Sequence, residues 1–217
     1  MNNLLRKLFI ILVAYPVVLV WLGVSVSKRE RLPKKGPAII VGNHNSHLDT
    51  LTLLTLFPLS LISDVHPAAA ADYFMKNKWF AWFSTKVIGI IPVERKGGSP
   101  KEHDPLAGCV EALKNNKILI LFPEGTRGEP EQMSELKSGL WFLCQQCPDV
   151  PVIPVYMHGL GRAMGKGQRI PVPFFIDVYI DEPMYVTEDE NKTAFIEHLK
   201  QRFETLQDKA YNGRNHG

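Results

Sequence analysis

Nineteen consecutive residues, Leu8–Val26, carry no charge, and Arg6, Lys7 and Lys28 close the run at both ends. Wound as a helix at about 1.5 Å per residue, the run reaches roughly 28 Å, close to the ~30 Å hydrocarbon thickness of a bilayer. Such a stretch must lie in lipid as an uncleaved segment, be removed as a signal, or pack as a buried or surface helix. The first placement fits best, because the run is long for a signal h-region and no A-x-A-like site follows it. Pro16, mid-run, is expected to kink the helix or let it re-enter. Tyr15 and Trp21 lie at neither clean end and make a poor interfacial belt.

The charge of the chain divides at the same place. Over 217 residues the formal net charge is +3, but residues 1–35 hold seven Lys/Arg against one acid, Glu30. The remainder holds 18 basic and 21 acidic residues and is therefore slightly negative. Basic character confined to one short segment argues against nucleic acid as a partner. The five positive charges from Lys28 to Lys35 would instead keep that side of the run in the cytoplasm and against anionic headgroups. The expected division is a membrane anchor with a basic linker over residues 1–35 and one globular domain over 36–217, on the cytoplasmic side of the inner membrane. Cys109, Cys144 and Cys147 make no disulfide framework. Cys144 and Cys147 have CxxC spacing without the second pair a zinc site needs, so they read as reduced cysteines on a helix.

Past residue 36, apolar strands alternate with helical patterns. Strands are expected at Pro37–Val41, Ile88–Val93, Ile118–Phe122, Val150–Met157 and Phe174–Ile180. Helices are expected at Leu48–Ile62, Asp72–Val87, Pro105–Asn115, Ser134–Gln146 and Thr193–Tyr211, the last capped near Thr187 or Asn191. The fold class is α/β, with a central, mostly parallel sheet flanked by helices and an N-terminal membrane helix. Pro151 and Pro154 in one apolar run argue for an edge or bulged strand.

Four short blocks carry chemistry. Asn43-His44-Asn45-Ser46-His47-Leu48-Asp49 sits where a strand turns into a helix. A histidine five residues ahead of an aspartate there can fold its ring onto the carboxylate, which fixes the tautomer and leaves the other nitrogen as a base. A capped helix with two incidental histidines is the plain alternative. Phe122-Pro123-Glu124-Gly125-Thr126-Arg127 follows an apolar strand and offers a carboxylate, a small residue, a hydroxyl and an arginine where α/β sheets bind ligands. An ordinary polar turn fits it equally well when it is taken alone. Gly89–Arg95 delivers Arg95 to a strand end, and Val150–Val155 carries the paired prolines.

In this order and at these separations the four blocks resemble those of the 1-acylglycerol-3-phosphate acyltransferase family, with the likeness extending through most of residues 37–180. The resemblance implies a glycerol-3-phosphate acyltransferase-like fold and transfer of a fatty acyl group from acyl-ACP or acyl-CoA to the sn-2 hydroxyl of lysophosphatidic acid. It implies His44 as general base with Asp49 orienting it, and Arg95 and Arg127 on the acceptor phosphate. Glu124, Gly125 and Thr126 would shape the acceptor pocket, with Glu124 paired to an arginine or a glycerol hydroxyl. Lys137 would be a further phosphate contact. No metal or other cofactor is implied. Gly128 stands where the family often has serine, and Leu136 where it has phenylalanine, which bears on the choice of acceptor. Another lysolipid acceptor, or a non-catalytic lipid-binding protein, are the competing readings. His47 lacks an aspartate five residues on and is not expected to be the base. The aromatic stretch Tyr73–Phe83, interleaved with lysines, is either core or a face that dips into lipid.

Overall fold

The computed structural model describes residues 3–75, 77–94, 104–129, 131–165, 168, 170–187 and 189–214. The apolar run forms one helix, α1 (Asn3–Leu22). Around Pro16 it winds in wider π-type turns, which absorb the missing N–H without breaking the helix. Ile10, Ala14, Val18 and Leu22 form a stripe at four-residue spacing that is buried, while Leu12, Leu19, Val20 and Trp21 are exposed. Arg6 near its start is fully buried and donates to the Val65 carbonyl. Helix α1 thus lies along the domain by one face and offers the other outward.

Gly23 ends the helix, and the chain enters β1 (Val24–Ser27), followed by β2 (Ala38–Gly42) and α2 (Leu48–Thr55). Next come β3 (Val65–Ala70), α3 (Ala71–Phe74), α4 (Lys78–Trp82) with its π-turn continuation Phe83–Ile88, and β4 (Ile91–Val93). The remaining elements are α5 (Ala107–Lys114), β5 (Ile118–Leu121), α6 (Gly139–Gln146), β6 (Val152–His158), α7 (Leu160–Ala163), β7 (Ile176–Ile180) and α8 (Lys192–Arg214). Among the described residues the strands form one seven-stranded sheet in the order β1-β7-β6-β2-β5-β3-β4. All neighbours are parallel except β6 and β7.

Strand β2 explains the core. Ala38, Ile39, Ile40 and Val41 are each 0% exposed, as an apolar strand covered on both faces must be. Ala38 and Ile40 meet the cluster that holds α1 and α2, while Ile39 and Val41 meet α5, α6 and α8. Ile39, Ile40 and Val41 each contribute about 1.5–3 kcal/mol by leaving water. Helix α8 buries Phe195, Leu199, Phe203, Leu206 and Ala210 on one face, and Asn191 Oδ1 caps it by accepting the Ala194 N–H at 3.0 Å.

The α/β fold with a mostly parallel sheet and an N-terminal apolar helix matches expectation, but several elements depart from it. The sheet begins at Val24, ahead of the expected division at residue 36, and paired Val24↔Ile176 contacts show why the apolar run stops short of Val26. The basic segment behind it is tied to the domain: Arg29 donates to the Leu56 carbonyl at 2.9 Å, and Arg31 donates to the Ile180 carbonyl and pairs with Glu182. Strand β3 was not foreseen, because Pro67 and three alanines lack the β-branched signal. Neighbours on both sides impose its extended form. The single helix expected over Asp72–Val87 is interrupted at Asn77, whose side chain accepts the Trp79 and Phe80 N–H groups and starts α4 afresh. The helix expected over Leu48–Ile62 stops at Thr55, and α6 starts at Gly139 rather than Ser134.

The expected edge strand with two prolines is instead interior. Strand β6 lies between β2 and β7 and is buried throughout. Pro154 is tolerated because its N and C=O face the end of β7, where only the carbonyl is needed, accepting the Asp181 N–H at 2.9 Å.

Candidate active site

Strands β2 and β5 sit side by side, but their onward connections leave in opposite directions, to β3 and to β6. Helices α2 and α6, which carry those connections, cover opposite faces. A crevice opens between the carboxyl ends of two such strands, and the loops 43–47 and 122–127 meet there.

The first loop is held from below. Asn43 bridges β6 by donating to the Met157 carbonyl at 3.0 Å and accepting the Met157 N–H at 2.7 Å. His44 follows, with Nδ1 2.9 Å from Asp49 Oδ2. The same oxygen accepts the Asn45 N–H at 2.7 Å and the Ser46 N–H at 2.9 Å. Ser46 Oγ donates to the Met164 carbonyl and accepts the Leu48 N–H, closing the turn into α2. Asp49 is 1% exposed. Burial pushes its carboxyl up, and the hydrogen bonds from His44, Ser46 and Asn45 act against that rise. With Nδ1 held by Asp49, Nε2 is the nitrogen able to take a substrate proton. The imidazole stacks on Phe122, 4.3 Å between ring centres and 19° between planes, which fixes its second degree of freedom.

The second loop locks onto the first. Glu124 Oε1 accepts the His44 N–H and Oε2 accepts the Ser134 N–H, both at 2.7 Å. Its two oxygens anchor main chain on either side of the site, and it pairs with no arginine among the described residues. Burial pushes it up as well, opposed by those same hydrogen bonds. Gly125 closes a turn by donating to the Phe122 carbonyl, and adopts φ 71°, which glycine enters without strain. Gly128 donates to the His44 carbonyl at 2.9 Å. A Cβ at Gly128 would lie 2.8 Å from Ser134 Oγ and 2.9 Å from the Gln132 carbonyl oxygen, so glycine here is a packing requirement.

Arg127 reaches back over the first loop. Its Nη1 contacts His47 Nε2, and its guanidinium lies 5.9 Å from the centre of the Tyr73 ring. Burial, then the Arg127 charge, then His44 hold the His47 ring below its ordinary value, so it stays neutral and accepts from Arg127. Lys137 donates its N–H to the Pro123 carbonyl at 2.7 Å, while its ammonium pairs with Glu135 at 2.9 Å. Arg95 lies outside the described residues.

A cavity of about 900 Å³ joins these groups. His44, His47, Glu124, Gly125, Thr126, Arg127 and Lys137 supply its polar lining, and Phe9, Phe74, Phe80, Phe83 and Leu143 are among its apolar walls. Three contributors were not foreseen. His47 was set aside for want of an aspartate, although it positions Arg127. Phe9 comes from the helix assigned to lipid, and Phe83 packs edge-on to it at 5.3 Å. Tyr73 gave only an aromatic signal. Cys144 and Cys147 are free and buried, and burial pushes the Cys144 thiol up to about 12, leaving no reactive thiolate.

Fold and site together define an α/β protein built around a histidine–carboxylate pair whose histidine lines a largely apolar cavity. The acyltransferase family model matches residues 23–158, and the chain belongs to that family. It is 27% identical over 174 residues to a chloroplastic 1-acyl-sn-glycerol-3-phosphate acyltransferase of Arabidopsis thaliana, covering 77% of this chain and 44% of the relative. It is 32% identical over 145 residues to the 1-acyl-sn-glycerol-3-phosphate acyltransferase of Saccharomyces cerevisiae, covering 65% and 45%. The chain spans about half the length of the relatives it matches. Its fold is that of the 1-acyl-sn-glycerophosphate acyltransferase PlsC from Thermotoga maritima, with a TM-score of 0.74 at 20% identity over 96% of this chain and 79% of that one.

Proposed function

We propose that this chain transfers a fatty acyl group from an acyl thioester, acyl-ACP or acyl-CoA, to the sn-2 hydroxyl of lysophosphatidic acid, giving phosphatidic acid in phospholipid biosynthesis. The observation that carries the reading is the His44–Asp49 pair, with His44 lining a largely apolar cavity together with a half-buried arginine, Arg127. His44 Nε2 removes the hydroxyl proton as the oxygen attacks the thioester carbonyl, and Asp49 stabilises the imidazolium that forms. The C–S bond breaks, and the departing thiolate takes the proton back from Nε2. No acyl-enzyme is needed, since the acceptor supplies the nucleophile. Arg127, steadied by neutral His47 and Tyr73, binds the acceptor phosphate, with Arg95 and Lys137 as further contacts; Gly125 and Thr126 line the acceptor end. The fatty chain occupies the cavity length walled by Phe9, Phe80 and Phe83.

Membrane lipids are the third partner in this proposal. The outward face of α1, with Leu12, Leu19, Val20 and Trp21, and the exposed Trp79, Phe80 and Trp82 of α4 are apolar surfaces of the kind that enters lipid. We place the protein at the cytoplasmic membrane with the domain on the cytoplasmic side. The test is transfer of labelled acyl groups by purified protein from acyl-CoA and acyl-ACP to a panel of lysolipids. Phosphatidic acid is expected as the main product. Transfer to a different lysolipid would replace the acceptor, and no transfer to any would end the enzymatic reading.

A further inference from the structure

A second histidine–carboxylate contact lies outside the cavity. Glu131 belongs to the loop that follows Arg127, its backbone has φ 60°, and it is buried. Its Oε1 accepts the Gly159 N–H at 3.1 Å, and its Oε2 lies 2.7 Å from His158 Nδ1, in close contact without the alignment of a hydrogen bond. His158 ends β6 and is also buried; it meets Tyr211 of α8 edge-on at 5.1 Å. Gln207 of α8 donates to the Glu131 carbonyl at 3.4 Å. The Tyr156 hydroxyl is pushed up by burial and then by the Glu131 charge, so this carboxylate makes itself felt inside the fold. Neither Glu131 nor His158 is among the described residues that line the cavity.

An L-residue in left-handed conformation and a carboxylate removed from water are both costly, and they persist where surrounding contacts hold them. The contacts here tie one loop to the scaffold at three points. Gly128 is bonded to His44, Ser134 to Glu124, and Glu131 between them to the end of β6 and to α8. Arg127 stands one residue before the first of these points. The ring of the base is held by Asp49 of α2, and its main chain by Glu124, seven residues ahead of Glu131 on the same connection.

We infer that Glu131 and His158 are a positioning pair that holds the Arg127 loop over the acceptor end of the site, and so set acceptor affinity without touching substrate. The inference rests on the proposed function only for the identity of the acceptor. In Glu131→Ala and His158→Leu proteins, the KM for lysophosphatidic acid should rise tenfold or more, with kcat and the KM for acyl-CoA within twofold of wild type. Glu131→Gln, which keeps an oxygen for the Gly159 N–H, should stay within threefold on all three. Equal losses in kcat and both KM values, or an unchanged acceptor KM, would overturn the inference. A second measurement needs no activity: native-state trypsin should cut after Arg127 at least ten times faster in Glu131→Ala than in wild type. Unchanged cleavage would likewise overturn it. A wild-type protein that transfers to no acceptor would sink the proposed function, while the trypsin comparison would still decide the positioning role.

Discussion

Asp49 Oδ2 lies 2.9 Å from His44 Nδ1 while also taking the main-chain N–H groups of Asn45 and Ser46. One oxygen thus orients the imidazole and ties together the turn that carries it. His44→Ala removes the base without disturbing that turn, and kcat should fall by about 10²–10⁴ with the melting temperature nearly unchanged. Asp49→Asn preserves shape but loses the charge that stabilises the imidazolium. A loss of about 1.5–3 kcal/mol, roughly 10- to 150-fold in kcat, is expected. Near-normal turnover in either protein would contradict the mechanism.

Glu124 should behave as a scaffold residue. Both its oxygens accept main-chain N–H groups, whereas glutamine offers one acceptor and one donor. Glu124→Gln therefore turns one N–H toward an NH₂ group and should destabilise the fold by about 1–3 kcal/mol in urea unfolding. Because one of the two amides it holds belongs to His44, kcat should drop more than acceptor KM rises. A pure acceptor effect at full stability would instead make Glu124 a substrate contact.

Gly128 tests how tightly the acceptor loop closes. Serine, common at this position in the family, would bring a Cβ within 2.9 Å of the Gln132 carbonyl oxygen. Gly128→Ser should raise acceptor KM several-fold by displacing Arg127, leaving the acyl-CoA KM in place. A variant with wild-type acceptor kinetics would show that the loop has room to spare.

Stability should depend on pH with two opposing signs. His47 is held below its ordinary 6.5 by burial first, and His66 likewise. Between the lowered values and 6.5 the unfolded chain carries protons that the folded chain lacks, so stability rises with pH there and is complete above it. Asp49 and Glu124 are raised by burial above the ordinary 3.8 and 4.5, so in that lower window the folded form keeps protons the unfolded chain has released, and stability falls as pH rises. His47→Gln should reduce the slope of urea midpoints just below pH 6.5. It should not abolish it, because His66 remains. An unchanged slope would show that His47 is not the neutral partner of Arg127.

Much of the candidate site was legible in the sequence because it is local. His44 and Asp49 are five residues apart on one strand-to-helix turn, and Phe122–Arg127 is a single loop, so spacing made them candidates and the family resemblance of the four ordered blocks singled them out. The apolar length of α1 and the alternation of strands and helices were legible for the same reason. What only tertiary structure decided depends on contacts between distant segments. Strand β3 is extended because β4 and β5 flank it, against the preference of its alanines. Strand β6 is central because Pro154 meets the end of β7, where a missing N–H costs nothing. Glu124 faces the amides of His44 and Ser134, eighty and ten residues away. The uncharged run itself gained a second identity: its length and composition spoke for lipid, but burial of Arg6 and of one stripe of the helix, with Phe9 at the cavity, makes it also a wall of the site. A linear pattern reports which residues are apolar; only packing decides which of them face the core, the cavity or the outside.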